Sequence, residues 1–355
     1  MHKNVTALIV VIALLGVAAY FYHAHNKKQE RAAKHAAAKK DVDPHAFKVA
    51  LVTPGAQDDK GWNENAKKAL DRIKTELGAD TATRAVSNGS SVEAHASFRN
   101  FAIDQKFNVV IGHAGEWNDA RTREDAAQSP KTTFLISGSE QSAANVCGVR
   151  FLLEDATYVL GQIAATVSKS GVIGCVGPVK LPVIESTFYA FEEGAKAVKP
   201  GIKVKVVWTE SFDDVVRAKE QTLQLINGEN ADVIFHNANN GAKGVFEAVQ
   251  EQKGKGVLAL GSNDDQAQTM PNYADVILAS ATLDIPSAYT QICKKIKDRT
   301  FKPETQFIGL DSGMVGIAYN AALESRIPAE AKKLADETVD KIKKGEFKVP
   351  RRELK

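Results

Sequence analysis

Cysteine is scarce in this sequence. Only three cysteines occur among 355 residues, at the widely separated positions Cys147, Cys175 and Cys293. An odd and scattered set of this kind excludes a disulfide framework and a zinc-binding pattern. We expect all three to be core residues; the alternative is a bond between Cys147 and Cys175, which an oxidising compartment would allow.

Catalytic motifs are absent as well. The glycines of GVIGCVG, residues 171–177, do not have the G-x-G-x-x-G spacing of a dinucleotide-binding turn. The sequence also contains no G-x-x-x-x-G-K-S/T, G-x-S-x-G or H-E-x-x-H motif. We therefore predict that the chain is not an enzyme and has no cofactor and no metal site. A hydrolase without a recognisable motif is the remaining catalytic alternative.

The main part of the chain also lacks an excess of charge of one sign. The formal net charge is +3, but residues 1–40 alone hold seven Lys or Arg and one acidic residue. The remaining residues carry 39 basic and 42 acidic side chains. This balance provides no electrostatic surface for nucleic acid, so we predict no nucleic-acid partner.

One long uncharged run stands at the N-terminus. Val5–Tyr22 contains 18 residues without a charge, so residues 1–22 are predicted to be a signal peptide or a membrane anchor. The small residues Val17, Ala18 and Ala19 offer a cleavage site, whereas an uncleaved helix would tether the chain. Residues 23–46 are rich in Ala and Lys and predict a polar spacer. Both alternatives for residues 1–22 predict export from the cytoplasm.

Strand and helix patterns alternate from Phe47 onward. Short apolar runs precede or follow helical patterns at residues 108–112, 132–137, 172–176, 202–207, 232–236, 257–260 and 276–279. This alternation is typical of an α/β fold with parallel sheets and right-handed crossovers. The length suffices for two lobes, and we expect a boundary near residues 149–154.

The segment Phe47–Leu77 is the most informative of these units. An apolar strand leads into a polar loop, and a helical apolar pattern follows, which Asn63 could cap and Gly78 could end. Ligands bind beyond the carboxyl ends of strands in open α/β sheets. The loop residues predicted to face a cleft are Asp58, Asp59, Lys60, Trp62 and Asn63.

Four segments together carry a family resemblance. They are VALVTPGAQDDKGWNENA (49–66), FLLEDATYVLGQIAATVSKSGVIGCVGPVKLPVIESTFYAFEEGAKAVKPGIKV (151–204), DVIFHNANNGAKGVFEAVQE (232–251) and GVLALGSNDDQ (256–266). These segments resemble the basic-membrane-protein family of solute-binding proteins. The resemblance implies two Rossmann-like lobes of the type I periplasmic-binding-protein kind. Lobe 1 would comprise residues 47–150 and about 262–309, and lobe 2 would comprise residues 151–261 and about 310–355.

The resemblance also implies a function. Members of the family bind purine bases or nucleosides outside the cytoplasm and deliver them to an ABC permease. We therefore expect a periplasmic or extracytoplasmic monomer with a purine-type ligand between its lobes. Two alternatives stay open: a membrane-tethered ligand sensor of the same fold, and a binding protein for sugars or amino compounds.

The family implies ligand contacts in the first lobe. Trp62 matches the aromatic that stacks on the purine, and Asn63 matches the base-contacting amide. Asp119, and next Glu116, match an acid that reads the base edge. The structural alternatives are a Trp at the base of a loop, a helix cap for Asn63, and a solvated loop for the two acids.

The family also implies contacts in the second lobe. Phe188 and Tyr189 lie next to Thr187, where the second stacking aromatic is expected, and their alternative is a place in the core. Asn240 and Gly241 match the turn whose backbone approaches the ligand in the family. The acid that holds ribose hydroxyls matches Asp264 or Asp265, with a helix N-terminus as the alternative.

Two departures concern the sugar. Nucleoside binders of the family have an Asp where this chain has Pro54, and a Lys where it has Leu283. Both residues contact ribose in the family. The sequence therefore favours a free base, or another small planar ligand, as much as a nucleoside.

Overall fold

The computed structural model describes residues 46–59 and 61–352, except for the side chain of Asn88. The signal or anchor predicted for residues 1–22 lies outside the described residues, as does the predicted spacer up to residue 45. The strands are β1 (Lys48–Thr53), β2 (Asp80–Ala85), β3 (Val109–Gly112), β4 (Thr133–Ser137), β5 (Val146–Phe151), β6 (Val172–Gly177), β7 (Lys203–Trp208), β8 (Val233–His236), β9 (Leu258–Asn263), β10 (Ile277–Leu283), β11 (Gln306–Ile308) and β12 (Val315–Tyr319).

The α-helices connect these strands. They are α1 (Trp62–Leu77), α2 (Ser91–Arg99), α3 (Ala120–Ala127), α4 (Glu154–Val167), α5 (Pro182–Val198), α6 (Val215–Gly228), α7 (Ala242–Glu251), α8 (Gln266–Thr269), α9 (Ile285–Lys297) and α10 (Ala329–Lys343). The alternation of strands and helices confirms the predicted α/β class.

The strands form two sheets. The order in the first sheet is β11-β5-β4-β3-β1-β2, and all its pairs are parallel. The order in the second sheet is β12-β10-β9-β8-β6-β7, and only the β10–β12 pair is antiparallel. Both sheets therefore place the carboxyl ends of successive parallel strands along one edge.

The chain passes between the two sheets three times, after β5, after β10 and after β11. After β5 it enters α4, which packs against α5 and α10, and after β10 it enters α9, which packs against α1. The strands at these crossings, β5 and β11 in one sheet and β10 and β12 in the other, lie at one end of each sheet. The opposite ends are formed by β2 and β7.

The return to the first lobe begins later than the predicted residue 262. Residues 258–263 and 277–283 are β9 and β10 of the second sheet, where β10 pairs with β9 and β12. The returning segment instead comprises α9 and β11, starting at Ile285. A boundary at residue 262 would fall inside β9 and would assign β10 to the first lobe.

Helix α1 shows how the local sequence produces the fold. Its buried residues include Ala66, Ala69, Leu70 and Ile73, which recur at helical spacing and face the sheet. Gly78 ends the helix with a φ of 61°, a left-handed conformation that glycine adopts without a steric penalty.

Helices α4 and α5 approach each other closely. A Cβ at Gly161 would lie 2.0 Å from the carbonyl oxygen of Phe191, and a Cβ at Gly194 would lie 1.9 Å from that of Tyr158. Both positions therefore require glycine for the two backbones to pack.

The cysteines are buried and free. Cys147 lies in β5, Cys175 in β6 and Cys293 in α9. They are core residues, as predicted. The alternative bond between Cys147 and Cys175 is not formed, since these residues belong to strands of different sheets.

Candidate functional site

The sequence-predicted residues follow the carboxyl ends of parallel strands in both lobes. In the first lobe, Trp62 and Asn63 follow β1, and Glu116 and Asp119 follow β3. In the second lobe, α5 contains Phe188 and Tyr189, Asn240 and Gly241 follow β8, and Asp264 and Asp265 follow β9. Since ligands bind beyond such strand ends, these loops define the candidate site.

Asp59 organises the start of α1. Its buried carboxylate accepts hydrogen bonds from the backbone N–H groups of Gly61 (3.1 Å), Asn63 (3.0 Å) and Glu64 (2.9 Å). Burial raises the pKa of Asp59, while these three donors lower it. Asn63 is therefore not the helix cap, because the helix begins at Trp62 and Asp59 satisfies its first donors.

The side chain of Asn63 is left with an unused acceptor. Asn63 is 6% exposed, and its Oδ1 has no hydrogen-bond partner within the described part of the chain. A buried acceptor without a partner costs about 1–3 kcal/mol. A ligand N–H placed here would remove that cost.

Trp62 stacks on a histidine. The indole and the His113 imidazole have ring centroids 4.1 Å apart and an interplanar angle of 17°. The indole Nε1 donates to the carbonyl oxygen of His113 at 3.2 Å, and the Phe151 ring meets the indole edge-on at 5.9 Å. These contacts fix the plane of a partly exposed indole at the start of α1.

The hydrogen bonds of His113 define its tautomer. Nε2 lies 3.0 Å from the carbonyl oxygen of Trp62, which can only accept, so the proton is on Nε2. Nδ1 is then the acceptor: the Tyr289 hydroxyl donates to it at 2.7 Å, and the Ser137 hydroxyl lies 3.0 Å away. Burial lowers the pKa of His113 to about 3, so the ring is neutral. His113 therefore has a hydrogen-bonded structural role.

Sequence reasoning missed the residues behind this stack. Phe151 ends β5, Ser137 ends β4, and Tyr289 lies in α9, which returns from the second lobe. Tyr289 also meets Phe151 edge-on at 6.0 Å. No local motif marks Tyr289, because it lies 176 positions from His113 in the sequence and only the folded chain brings the two residues together.

The two acids predicted to read a base edge have other environments. Asp119 is the N-cap of α3: its Oδ1 accepts from the N–H of Thr122 at 2.9 Å, and its Oδ2 lies 3.0 Å from Nε2 of His95. Glu116 is exposed on the turn after β3. Asp119 therefore has a structural role, with both carboxylate oxygens engaged.

Phe188 lies in the core, which is the alternative given for it. It is 4% exposed and packs against Trp208 and Phe235, with ring centroids at 5.4 and 5.7 Å. Its position in the helical repeat of α5 directs its side chain toward the sheet. Tyr189 is partly exposed and lies against the guanidinium of Arg352 at 5.4 Å.

The polar groups of the turn after β8 form hydrogen bonds with other protein groups. Gly241 donates its N–H to the carbonyl oxygens of Ala238 (2.8 Å) and Phe212 (3.1 Å), so this donor is not directed at a ligand. Asn240 donates from Nδ2 to Asp213 at 2.8 Å. Both predicted residues therefore stabilise the turn.

Asp264 and Asp265 form the turn before α8. Asp264 accepts from the N–H of Asp265 at 2.9 Å, and Asp265 accepts from Nε2 of Gln268 at 2.5 Å. Both side chains are partly exposed. Asp265 is the residue that precedes the helix, which was the alternative to a ribose contact.

An amide and hydroxyl cluster in the second lobe was also missed. Asn237 accepts at Oδ1 from Asn263 Nδ2 (3.3 Å) and Ser262 Oγ (3.5 Å), and its Nδ2 donates to Thr187 Oγ1 (3.4 Å). Asn263 has a φ of 69°, which Asn tolerates better than most residues. The run HNANNG offered three asparagines, and sequence alone did not single out Asn237.

The two lobes meet beside this cluster. A Cβ built on Gly61, before α1, would lie 3.4 Å from Oδ1 of Asn239, after β8. Asn239 has a φ of 45°. The absence of a side chain at Gly61 therefore permits close approach of the two loops across the site.

The match to a protein-family model decides the family. The model for PnrA-like ABC transporter substrate-binding proteins matches residues 46–353. The chain belongs to this family. It is 28% identical over 309 residues to basic membrane protein A2 of Borrelia garinii subsp. bavariensis, which covers 85% of this chain and 88% of that protein.

Two further similarities concern the sequence and the fold. A purine-binding protein of Brucella abortus is 27% identical over 302 residues, 85% of this chain and 82% of that protein. The solute-binding protein of an ABC transporter system from Aeropyrum pernix K1 superimposes with a TM-score of 0.72 at 18% identity, covering 86% and 94% of the two chains. The structural match shows the fold and agrees with the predicted two-lobed architecture.

The departures from the PnrA-like pattern are visible in the structure. Leu283 ends β10 and is 6% exposed, packed in the core. Pro54 directly follows β1, and its carbonyl oxygen accepts from the N–H of Gly89 at 2.8 Å. Neither residue offers a charged group to a ligand.

Within residues 46–59 and 61–352, no group of three or more His, Cys, Asp or Glu side chains is placed to hold a metal ion. No helix of this part of the chain has the length and apolar character needed to cross a membrane.

Proposed function

We propose that this PnrA-like protein binds a purine base or nucleoside between its lobes, outside the cytoplasm, and delivers it to an ABC permease as a monomer. The observation that carries the proposal is the unpaired, buried Oδ1 of Asn63, in the residue that follows Trp62 at the start of α1. A purine offers a flat face for the indole and ring or exocyclic N–H groups for this acceptor. The purine-binding relative of Brucella abortus supports the ligand class.

Titration calorimetry tests the ligand. Adenine, guanine, hypoxanthine, their nucleosides and a panel of sugars are titrated into the purified protein and into Asn63→Leu. We expect at least one purine to bind and Asn63→Leu to weaken it, because the variant lacks the acceptor. The matched control is Asn65→Leu, since Asn65 is a second buried amide of α1 with Lys68 already 3.5 Å from its Oδ1. Equal loss in both variants, or no purine binding, would contradict the proposal.

A second candidate is a sugar. The cluster of Thr187, Asn237, Ser262 and Asn263 offers neutral amide and hydroxyl groups, which suit a ligand rich in hydroxyls. Sugar binding without purine binding in the same titrations would favour it.

Export is tested separately. Residues 1–50 are fused to a reporter that is active only outside the cytoplasm, and activity is expected because Val5–Tyr22 is uncharged. Mature N-terminal sequencing then separates a released carrier from a tethered sensor. An inactive reporter would remove the transport proposal.

A further inference from the structure

The three segments that cross between the lobes are joined to one another by hydrogen bonds. The third crossing, which follows β11, is bonded to both of the others. At its start, the carbonyl oxygen of Ile308 accepts from the N–H of Leu152 in the first crossing at 2.7 Å. At its end, the carbonyl oxygen of Met314 accepts from the N–H of Asp284 in the second crossing at 2.7 Å. A rotation of one lobe against the other therefore acts on all three segments together.

A buried carboxylate adds a side-chain contact to this hinge. Asp155, the second residue of α4, is 2% exposed, and its Oδ2 accepts from the N–H of Leu310 at 3.2 Å. Leu310 belongs to the third crossing, so Asp155 links that crossing to the first. A Cβ built on Gly309 would lie only 2.6 Å from the same carboxylate oxygen. Asp155 is thus packed directly against the backbone of the third crossing.

The C-terminal segment of the described chain runs back to the hinge. Residues 347–352, which we call the C-terminal strap, follow α10 and lie along α4 and α5. The ring of Phe347 packs on that of Tyr158 in α4, with centroids 5.1 Å apart. The backbone N–H of Arg352 donates to Oγ of Ser186 in α5 at 3.2 Å. These contacts hold the strap on two helices of the second lobe.

The C-terminal strap supplies the charge that neutralises the hinge carboxylate. Arg351 donates from Nη2 to Oδ1 of Asp155. One carboxylate oxygen is therefore bound by the strap and the other by the third crossing. Burial raises the pKa of Asp155, whereas the guanidinium of Arg351 lowers it. Because a buried charge without its partner is strongly destabilising, the contact between Asp155 and Leu310 depends on Arg351.

The neighbouring Arg352 has a different environment. Its guanidinium lies 3.9 Å from the carboxylate of Glu185 and 5.4 Å from the ring of Tyr189, and both partners belong to α5. The side chains of the Arg352–Glu185 pair are 56% and 35% exposed. Since ion pairs exposed to this extent contribute little, Arg352 is a matched control for Arg351 on the same strap.

The hinge adjoins the candidate ligand site. The first crossing begins after Phe151, whose ring meets the Trp62 indole edge-on at 5.9 Å. Asp155 is four residues further along the chain. The same hinge also determines how closely the loops of the two lobes meet across the cleft. Its geometry therefore bears on both walls of the site.

We propose that Arg351, acting through Asp155, sets the equilibrium between open and closed lobes and thereby the affinity for the ligand. Both are positioning residues, because they hold the hinge and do not form a wall of the cleft. The apparent affinity of a ligand falls in proportion to the fraction of the protein that is able to bind it. The effect on affinity rests on the proposed function, in which the ligand lies between the lobes.

Pulsed electron paramagnetic resonance tests the hinge without a ligand. The native cysteines are buried, so Val92→Cys with Val216→Cys places one spin label on each lobe. These positions are 69% and 67% exposed and follow the outer strands β2 and β7. Arg351→Gln should shift or broaden the distribution of distances between the labels, and Arg351→Lys should restore it in part, because Lys keeps the charge. The control Arg352→Gln should leave the distribution unchanged.

Calorimetry and stopped-flow dissociation measure the consequence for binding. They use adenine, guanine or hypoxanthine, whichever the unmodified protein binds. Arg351→Gln should weaken binding at least about fivefold, mainly through faster dissociation, whereas Arg352→Gln should change it by less than about twofold. Asp155→Asn combined with Arg351→Gln should recover affinity, because a neutral amide needs no cation and its oxygen can still accept from Leu310.

Three outcomes would overturn the hinge proposal. They are unchanged distances and affinity in Arg351→Gln, equal changes in Arg352→Gln, and a double variant that binds no better than Arg351→Gln alone. Denaturant unfolding is measured on each variant, since a lowered free energy of unfolding with unchanged distances would show a purely structural ion pair. Absent purine binding by the unmodified protein rejects the proposed function alone, because the distance measurement uses no ligand.

Discussion

His113 in the first lobe and Asn237 in the second occupy the same place in the fold. Each directly follows a strand of its sheet, and the N–H of each bonds to the neighbouring strand, His113 to Val52 (2.9 Å) and Asn237 to Val176 (3.1 Å). In the first lobe this position supports the Trp62 indole, while in the second it joins a cluster of amides and hydroxyls. Duplicated architecture thus carries an aromatic wall on one lobe and a hydrogen-bonding wall on the other.

The difference indicates which part of a ligand each lobe would contact. A stacked indole recognises a flat ring and is indifferent to its substituents, whereas amides select polar edges. Four predictions compare the two lobes in stability and in binding, beginning with a feature that the lobes share.

The largest expected effect is loss of stability in acid. Burial lowers the pKa of His113 to about 3 and that of His236, in the second lobe, to about 4, from an ordinary value of 6.5. Below pH 6.5 the unfolded chain binds protons that the folded chain excludes, so the free energy of unfolding decreases as pH falls. Each histidine contributes a slope of about 1.4 kcal/mol per pH unit.

Denaturant unfolding between pH 7.5 and 5.5 measures this slope. His236→Gln should lower it by about one histidine's share, since Gln does not titrate and can still donate toward Gln266, which His236 Nε2 contacts at 2.8 Å. The raised pKa of the buried Asp59 changes the slope in the opposite sense. This contribution is the same in the wild type and in His236→Gln, so it cancels when their slopes are compared. An unchanged slope would show that His236 is protonated in the folded protein.

The second prediction compares the two walls directly. Trp62→Ala should weaken purine binding by about 1–3 kcal/mol, roughly five- to 150-fold, because stacking on the indole is lost. Asn237→Ala should cost less, since its hydrogen bonds at 3.3–3.5 Å are long. Calorimetry on both variants decides the order. A larger loss from Asn237→Ala would place the main recognition on the second lobe.

The third prediction concerns the support of the aromatic wall. Tyr289→Phe removes the hydroxyl that donates to His113 at 2.7 Å and should lower the free energy of unfolding by about 1 kcal/mol. The matched control is Tyr319→Phe, because the buried hydroxyl of Tyr319 has no partner within the described residues. Its removal should cost less in the same denaturant titration. Equal losses would mean that the hydroxyl of Tyr289 contributes nothing specific to His113.

Sequence predicted the parts of this site that depend on local pattern. The strand–loop–helix unit around Trp62 follows from apolar spacing and a terminal glycine, and the two-lobed fold follows from alternation and family resemblance. Tyr289 could not be predicted because it comes from α9 after a chain crossing. The segments that contain Phe188 and Asn237 were located from sequence. The roles of these two residues depend on the direction of their side chains, which sequence does not give. The core role of Phe188 and the cap role of Asp119 became visible only with their partners in place.

The smallest expected effect is the discrimination between base and nucleoside. Pro54 and the buried Leu283 offer no charged contact to a ribose, and each charge-assisted hydrogen bond that is not formed forgoes about 1.5–3 kcal/mol. The hydrogen-bonding wall of the second lobe is neutral, so we expect a free base to bind at least as tightly as its nucleoside. Calorimetric titration of adenine against adenosine, and guanine against guanosine, measures the difference. A nucleoside preference above about tenfold, or 1.4 kcal/mol, would show that the amide cluster around Asn237 replaces the missing ribose contacts. Asn237→Ala should then abolish the preference while leaving the affinity for the base unchanged.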